Sequence, residues 1–223
     1  MSSLTESLTV AEAIVQRRST QEFSDRAIDR EILTRLVELT LEAPSSYNLQ
    51  PWRIVLVSDD ERRQALHKAA FGQPQILEAP TTFVFATTQQ WRDDLPKVVQ
   101  AAVARDAWPE AYGEQLLLNV PKAQEYLESS GKLREYNIKD AMIAASFLTL
   151  AAQSFGLTSC FMNGWREDLV NEAIGAPADT SIAVIVPVGY AKESGEHPGR
   201  FPLSHCVREN GWETPFDSAP SQD

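Results

Sequence analysis

The chain has 223 residues, 43% of them hydrophobic, which suffices to bury one sizeable core in a single domain spanning 1–223. Its 20 Lys and Arg stand against 31 Asp and Glu, and the resulting formal charge of -11 repels phosphate backbones and anionic lipid, excluding nucleic acid and membrane surfaces as expected partners. Met1 to Val10 has neither the basic start nor the apolar run of a signal peptide, no later stretch offers ~18 uninterrupted apolar residues, and Cys160 and Cys206 lack C-x-x-C spacing, so a soluble cytoplasmic protein with reduced thiols is expected.

Ser7 or Thr9 is a cap for a first helix, since Val10, Ala13, Ile14 and Arg17 follow at helical spacing. Asp29 reads as the N-cap of a second helix, whose stripe Ile32, Leu33, Leu36, Val37 and Leu39 stops before Pro44. After the polar loop Pro44 to Pro51, Trp52 to Val57 reads as a strand. Ser58-Asp59-Asp60-Glu61 has the spacing of a capping box and opens a helix to about Ala70. Thr82 to Thr87, aromatic and β-branched, reads as a buried strand.

From Trp91 to Leu133 the periodicity is weak and Pro96, Pro109 and Pro121 interrupt it, which predicts short helices. Ile138 to Phe155 is apolar on nearly every side and predicts a central buried helix, with Gly156 at its C-cap. Thr158 to Met162 reads as a strand, Asn163-Gly164 as a turn, Glu167 to Ile174 as a short helix, and Ser181 to Tyr190 as the most apolar strand. The tail beyond Arg208 is polar and expected to fray at its end.

No G-x-G-x-x-G, P-loop, H-E-x-x-H or G-x-S-x-G occurs, and His67, His197 and His205 are scattered. Four polar clusters remain: Arg17-Arg18-Ser19, Pro44 to Trp52, Gln73-Pro74-Gln75 and Gly199-Arg200. Guanidinium forks and a hydroxyl at Arg17, Ser19 and Arg200 suit a phosphate if the chain returns near its start, although an arginine pair also complements a helix C-terminus. Ser45, Ser46, Asn48 and Gln50 between two prolines make a rigid loop rich in donors and acceptors.

In order and spacing, Arg17-Arg18-Ser19-Thr20 followed by Phe23, and Ala43-Pro44-Ser45-Ser46-Tyr47-Asn48-Leu49-Gln50-Pro51-Trp52, resemble the two N-terminal signatures of the nitroreductase family. The similarity continues through Gln73 to Pro80, Phe155-Gly156-Leu157, Phe161-Met162-Asn163-Gly164-Trp165, and Val184 to Gly189 before Arg200. The segment from Trp91 to Leu133 matches least. The resemblance implies an α+β fold with a central, mainly antiparallel sheet flanked by helices, in an intertwined homodimer that holds FMN.

By the same resemblance Arg17, Ser19 and Arg200 hold the FMN phosphate, with Arg18 near the ribityl chain. Pro44, Ser45, Ser46 and Asn48 reach the flavin from the other subunit. Met162, Asn163 and Gly164 cross one isoalloxazine face, with a backbone N–H of Asn163 or Gly164 toward N5. Gln75 faces the ribityl or pyrimidine region; Gln21 and Gln75 stand where the family often places Lys or Arg. The implied reaction takes hydride from NADH or NADPH to flavin N5 and on to a small electron acceptor such as a nitroaromatic or quinone. It needs no catalytic side chain. Cys160 and the histidines are assigned to packing and surface, and Phe71, Trp91, Trp108 and Tyr112 to the core or the pocket lining. Storage of FMN, or a site blocked by a lid from the Trp91 to Leu133 segment, and specialised chemistry such as dehalogenation or flavin fragmentation are the alternatives.

Overall fold

The computed structural model of the protein describes residues 8–193 and 195–216. In chain order its elements are α1 (Val10–Gln16), α2 (Arg30–Leu41), β1 (Trp52–Val57), α3 (Asp60–Ala69), α4 (Gln75–Glu78), β2 (Thr81–Thr87), α5 (Trp91–Ala104), α6 (Glu110–Ser129), α7 (Leu133–Ser154), β3 (Thr158–Ser159), α8 (Glu167–Ile174), β4 (Ser181–Gly189) and α9 (Leu203–Cys206). The four strands form one sheet in the order β1-β2-β4-β3, and every strand pair is antiparallel.

β2 and β4 lie in the middle and are buried along their whole lengths. Their unbroken apolar sequence follows from cover on both faces. Phe83, Phe85, Val184, Val186 and Val188 pack against α2 and α7 on one side, while Val84, Ala86, Ile182 and Ile185 pack against α3 and α8 on the other. A register shift opposite Phe85 and Ala86 puts Ala183 and Val184 on the same face, a bulge that resets the alternation along β4. Burial of each phenylalanine contributes ~1.5–3 kcal/mol of transfer free energy.

α7 is the central helix that the sequence predicts. Ala141, Ala144, Ala145 and Ala152 are small enough to bring its backbone close to the sheet, and Leu148 fills the space between. It ends in a Schellman turn: Leu157 N–H donates to the Ala152 carbonyl and Gly156 N–H to that of Gln153. Gly156 takes φ +70°, a backbone conformation that costs glycine little. The turn delivers the chain straight into β3. One side of α7 is not covered, because Ile143 and Phe147 remain exposed.

Three expectations are corrected, and the choice of cap for α1 is resolved. Thr9 caps α1 in a full capping box with Glu12, Ser7 lying outside the described residues. Asp59, not Ser58, caps α3; its carboxylate accepts the Arg62 N–H, and a carboxylate at the positive end of a helix outcompetes the preceding hydroxyl. Pro96 and Pro121 interrupt nothing, since each lies inside a long helix. There Trp91, Leu95 and Val99 pack with Leu116, Val120 and Leu133, and this shared cluster offsets the lost backbone bonds. Strand pairing in the Thr158 to Met162 segment shrinks to Thr158–Ser159 plus a single bridge from Met162 to Ile185. Beyond Arg208 the chain turns back, with Glu209 N–H on the Thr214 carbonyl and Phe216 N–H on that of Val207; the terminal Ser218 to Asp223 lies outside the described residues. Among the described residues no helix is long and apolar enough to cross a membrane.

Candidate functional site

The segment after α1 crosses the end of the sheet. Arg17 is its C-cap, Ser19 bridges to Ser159, and Thr20 N–H donates to the Ser159 carbonyl while its hydroxyl bonds that of Thr158. Phe23 is fully buried, and its N–H donates to the Glu78 carboxylate at 3.0 Å. These ties explain the pattern Arg-Arg-Ser-Thr followed by Phe: alternating residues anchor the strand-like stretch and leave Ser19 and Gln21 exposed. Arg18, Ser19 and Gln21 line a concavity of about 320 Å³ with Glu22, Lys192 and Glu193.

Two long-range amide contacts gather further clusters onto this surface. Gln75 Nε2 donates to Gln21 Oε1 at 2.8 Å, and Gln73 Nε2 donates to the Gly164 carbonyl at 3.0 Å. Gln75 opens α4, and its side chain makes no capping bond there. Met162 is buried and pinned to Ile185, leaving Asn163 exposed and Gly164 half-buried at the rim beside Phe71. Phe71 is exposed and holds φ +56°, whereas Trp91 is core and Trp108 meets Tyr112 edge to face.

Desolvation first, and then the positive charges of Arg200, Arg18 and Arg17, hold His197 below the ordinary histidine range. His197 Nδ1 accepts the Gly199 N–H at 2.9 Å. Arg17 also acts on Cys160, where burial pushes the thiol up and the guanidinium pulls it back; a buried protonated thiol is a poor nucleophile. Both cysteines are free.

The Pro44 to Pro51 loop is held elsewhere. Among the described residues no hydrogen bond joins it to the Arg17 to Gln21 or Gln73 to Gln75 groups; its bonds run to Asp140, from the Thr88 N–H to the Pro51 carbonyl, and within itself. Pro44 and Asn48 are exposed, Ser45 and Ser46 half-buried. Tyr47, Asn48 and Gln50 take φ of +53°, +55° and +47°, left-handed values that cost ~1–3 kcal/mol each for non-glycine residues. Asp140, which the sequence reading missed, is buried in α7 and accepts Ser46 N–H at 3.2 Å and Ser46 Oγ–H at 3.3 Å. Burial pushes its carboxyl up and the two Ser46 bonds pull it down. A single carboxylate within the apolar stretch Ile138 to Phe155 was the available signal, because such groups are rarely buried without a partner.

Two atoms of this surface bear on its ligand. Arg18 Nε and Gln75 Oε1 are buried and without a hydrogen-bond partner, although Arg18 Nη1 donates to the Val15 and Arg17 carbonyls. Unpaired buried polar atoms are costly, so a guanidinium donor and an amide acceptor left open fit an anionic ligand that also carries amide-like groups. A phosphate with a flavin pyrimidine edge satisfies that donor set. Among the described residues no group of three or more His, Cys, Asp or Glu is placed to hold a metal ion.

An α+β core with an antiparallel sheet and a basic, amide-lined rim defines the class. The nitroreductase family profile matches residues 14–190. The chain is 30% identical over 198 residues to an NADH dehydrogenase of Thermus thermophilus, covering 87% of this chain and 93% of that protein. It is 29% identical to an FMN reductase (NADPH) of Bacillus subtilis, across 92% and 75% of the two chains, and 26% identical to an iodotyrosine deiodinase of Haliscomenobacter hydrossis, across 82% and 79%. A nitroreductase-type protein of Exiguobacterium sibiricum, solved in complex with FMN, superposes with a TM-score of 0.82 at 23% identity over 93% of this chain and all of that one. The protein therefore belongs to the nitroreductase family.

Proposed function

We propose that this protein is an NAD(P)H-dependent oxidoreductase that binds FMN across a homodimer and reduces nitroaromatics, quinones or similar acceptors. The observation that carries the reading is the concavity lined by Arg18, Ser19 and Gln21, with Gln75 bonded to Gln21 and the Gln75 Oε1 buried and unpaired. Arg17 and Arg200 would hold the phosphate by charge-assisted bonds, Ser19 would add a hydroxyl, and Arg18 would lie along the ribityl chain. Gln75, propped by Gln21, would meet the pyrimidine edge without a charge. When bound, FMN supplies the two-electron chemistry at N5, and the protein contributes orientation and access. Asn163 or Gly164 would supply a backbone donor, above buried Met162.

The homodimer is supported by two observations. The Pro44 to Pro51 loop lacks hydrogen bonds to the arginine cluster of its own chain, as expected if Ser45, Ser46 and Asn48 serve the other subunit. α1 and α7 pack together and leave Val10, Ile14, Ile143 and Phe147 exposed, an apolar surface suited to a second copy. Reduced cysteines and a nicotinamide donor suit the cytoplasm.

The test is direct. Purified protein should be yellow, release FMN on denaturation, and oxidise NADH or NADPH with a quinone. A colourless preparation that FMN cannot reconstitute would remove the reading. The deiodinase relative favours one further assay, iodotyrosine against quinone as acceptor.

A further inference from the structure

We propose that Asp140 is a positioning residue for the cofactor site, a carboxylate in α7 that locks the Pro44 to Pro51 loop in the shape that can present Ser45 and Asn48 to the flavin of the other subunit. The inference rests on the FMN reading above and adds to it a residue far from the arginine cluster.

The geometry begins with one side chain gripping one residue. Asp140 is 5% exposed, and its two oxygens take the backbone N–H and the hydroxyl of Ser46, at 3.2 and 3.3 Å. Ser46 is the last residue before the left-handed stretch, in which Tyr47, Asn48 and Gln50 all have positive φ. Ordinary side chains leave that region unless neighbouring bonds over-determine it. Across the loop mouth, Gln50 N–H donates to Ser45 Oγ at 2.9 Å, and the Gln50 amide grips Asn48 twice, at 3.2 Å each.

The loop thus has an internal brace and an external anchor. The brace fixes its curvature; Asp140 fixes its place on α7, which is itself clamped to the sheet. Tyr47 is 40% exposed and too lightly packed to hold the strained backbone by contact alone. Anchoring also determines which groups remain free. Ser45 Oγ is used as an acceptor within the loop, so its proton is left to donate outward, and the exposed Asn48 amide nitrogen is likewise available.

The experiment compares FMN dissociation constants and the visible circular dichroism of bound flavin in wild type, Asp140→Asn, Asp140→Leu and Asp140→Glu dimers. Asparagine retains a carbonyl oxygen for the Ser46 N–H, and its amide can donate to the Ser46 hydroxyl, so it should bind FMN within about threefold of wild type with an unchanged spectrum. Leucine removes both bonds and should weaken FMN at least tenfold with an altered flavin spectrum. If the leucine variant fails to fold, glutamate decides: it keeps the charge but moves the anchor by one methylene, and affinity should fall tenfold with the fold intact. Leucine or glutamate variants that fold and bind FMN like wild type would overturn the inference and leave the FMN reading standing. An asparagine variant as weak as leucine would also overturn it. Wild-type protein that takes up no FMN would sink both.

Discussion

Gln75 donates to Gln21 across 2.8 Å, although 54 residues separate them in the chain, and the other amide atom of Gln75 is buried without a partner. The pair presents dipoles and no charge where the proposed pyrimidine edge lies. Reduced flavin is anionic at N1, so a cation there would stabilise it. Gln75→Lys should therefore raise the flavin midpoint potential, and about 30 mV corresponds to a tenfold change for a two-electron couple. A dye-linked redox titration measures it; equal potentials with intact FMN binding would defeat this placement of Gln75.

Arg17→Ala and Arg200→Ala each remove a guanidinium from the cluster around His197. With ~1.5–3 kcal/mol at stake per charge-assisted bond, FMN should bind at least tenfold more weakly in either variant. Fluorescence titration of released flavin reads this out. Unchanged affinity in both would mean that the phosphate sits elsewhere.

Phe147 is 38% exposed on α7, opposite the face packed on the sheet. Phe147→Glu should place a charge in the proposed subunit interface and convert dimer to monomer, with FMN content falling in step. Sedimentation at low concentration with absorbance of bound flavin tests both halves. A monomer that keeps its full FMN complement would contradict a site shared between subunits.

Glu128 joins α6 to α5 by accepting both Arg92 nitrogens, at 2.8 and 2.7 Å, and the Trp91 indole N–H at 2.9 Å. Arg92 first, and then Trp91, pull its carboxyl down from 4.5 to about 2. A carboxyl lowered in the folded state contributes stability that is present above its unfolded value and lost as pH falls through the folded one. The link should weaken between about pH 4.5 and about 2. Glu128→Gln should melt roughly 2 °C below wild type at pH 7, and the gap should close by pH 2. A gap that persists there would show that the charge is not the source.

Period and composition alone determined the elements with a single strong local signal. β2 and β4 were legible because a strand covered on both faces must be apolar throughout, and α7 because its alanines leave little else to bury. The Arg17 to Phe23 and Ala43 to Trp52 motifs were legible as family signatures. Tertiary structure decided the rest, because local pattern is blind to what packs on it. Pro96 and Pro121 predict breaks, yet the cluster uniting α5 and α6 carries both helices through. The Ser-x-x-Glu spacing points to Ser58 as the cap of α3, and the geometry of one turn chose Asp59. Nothing in the order of residues pairs Gln75 with Gln21 or seats Asp140 under Ser46. Those contacts span 54 and 94 residues for the two hydrogen-bonded pairs, and a separation of that length is closed only when the sheet between them has formed.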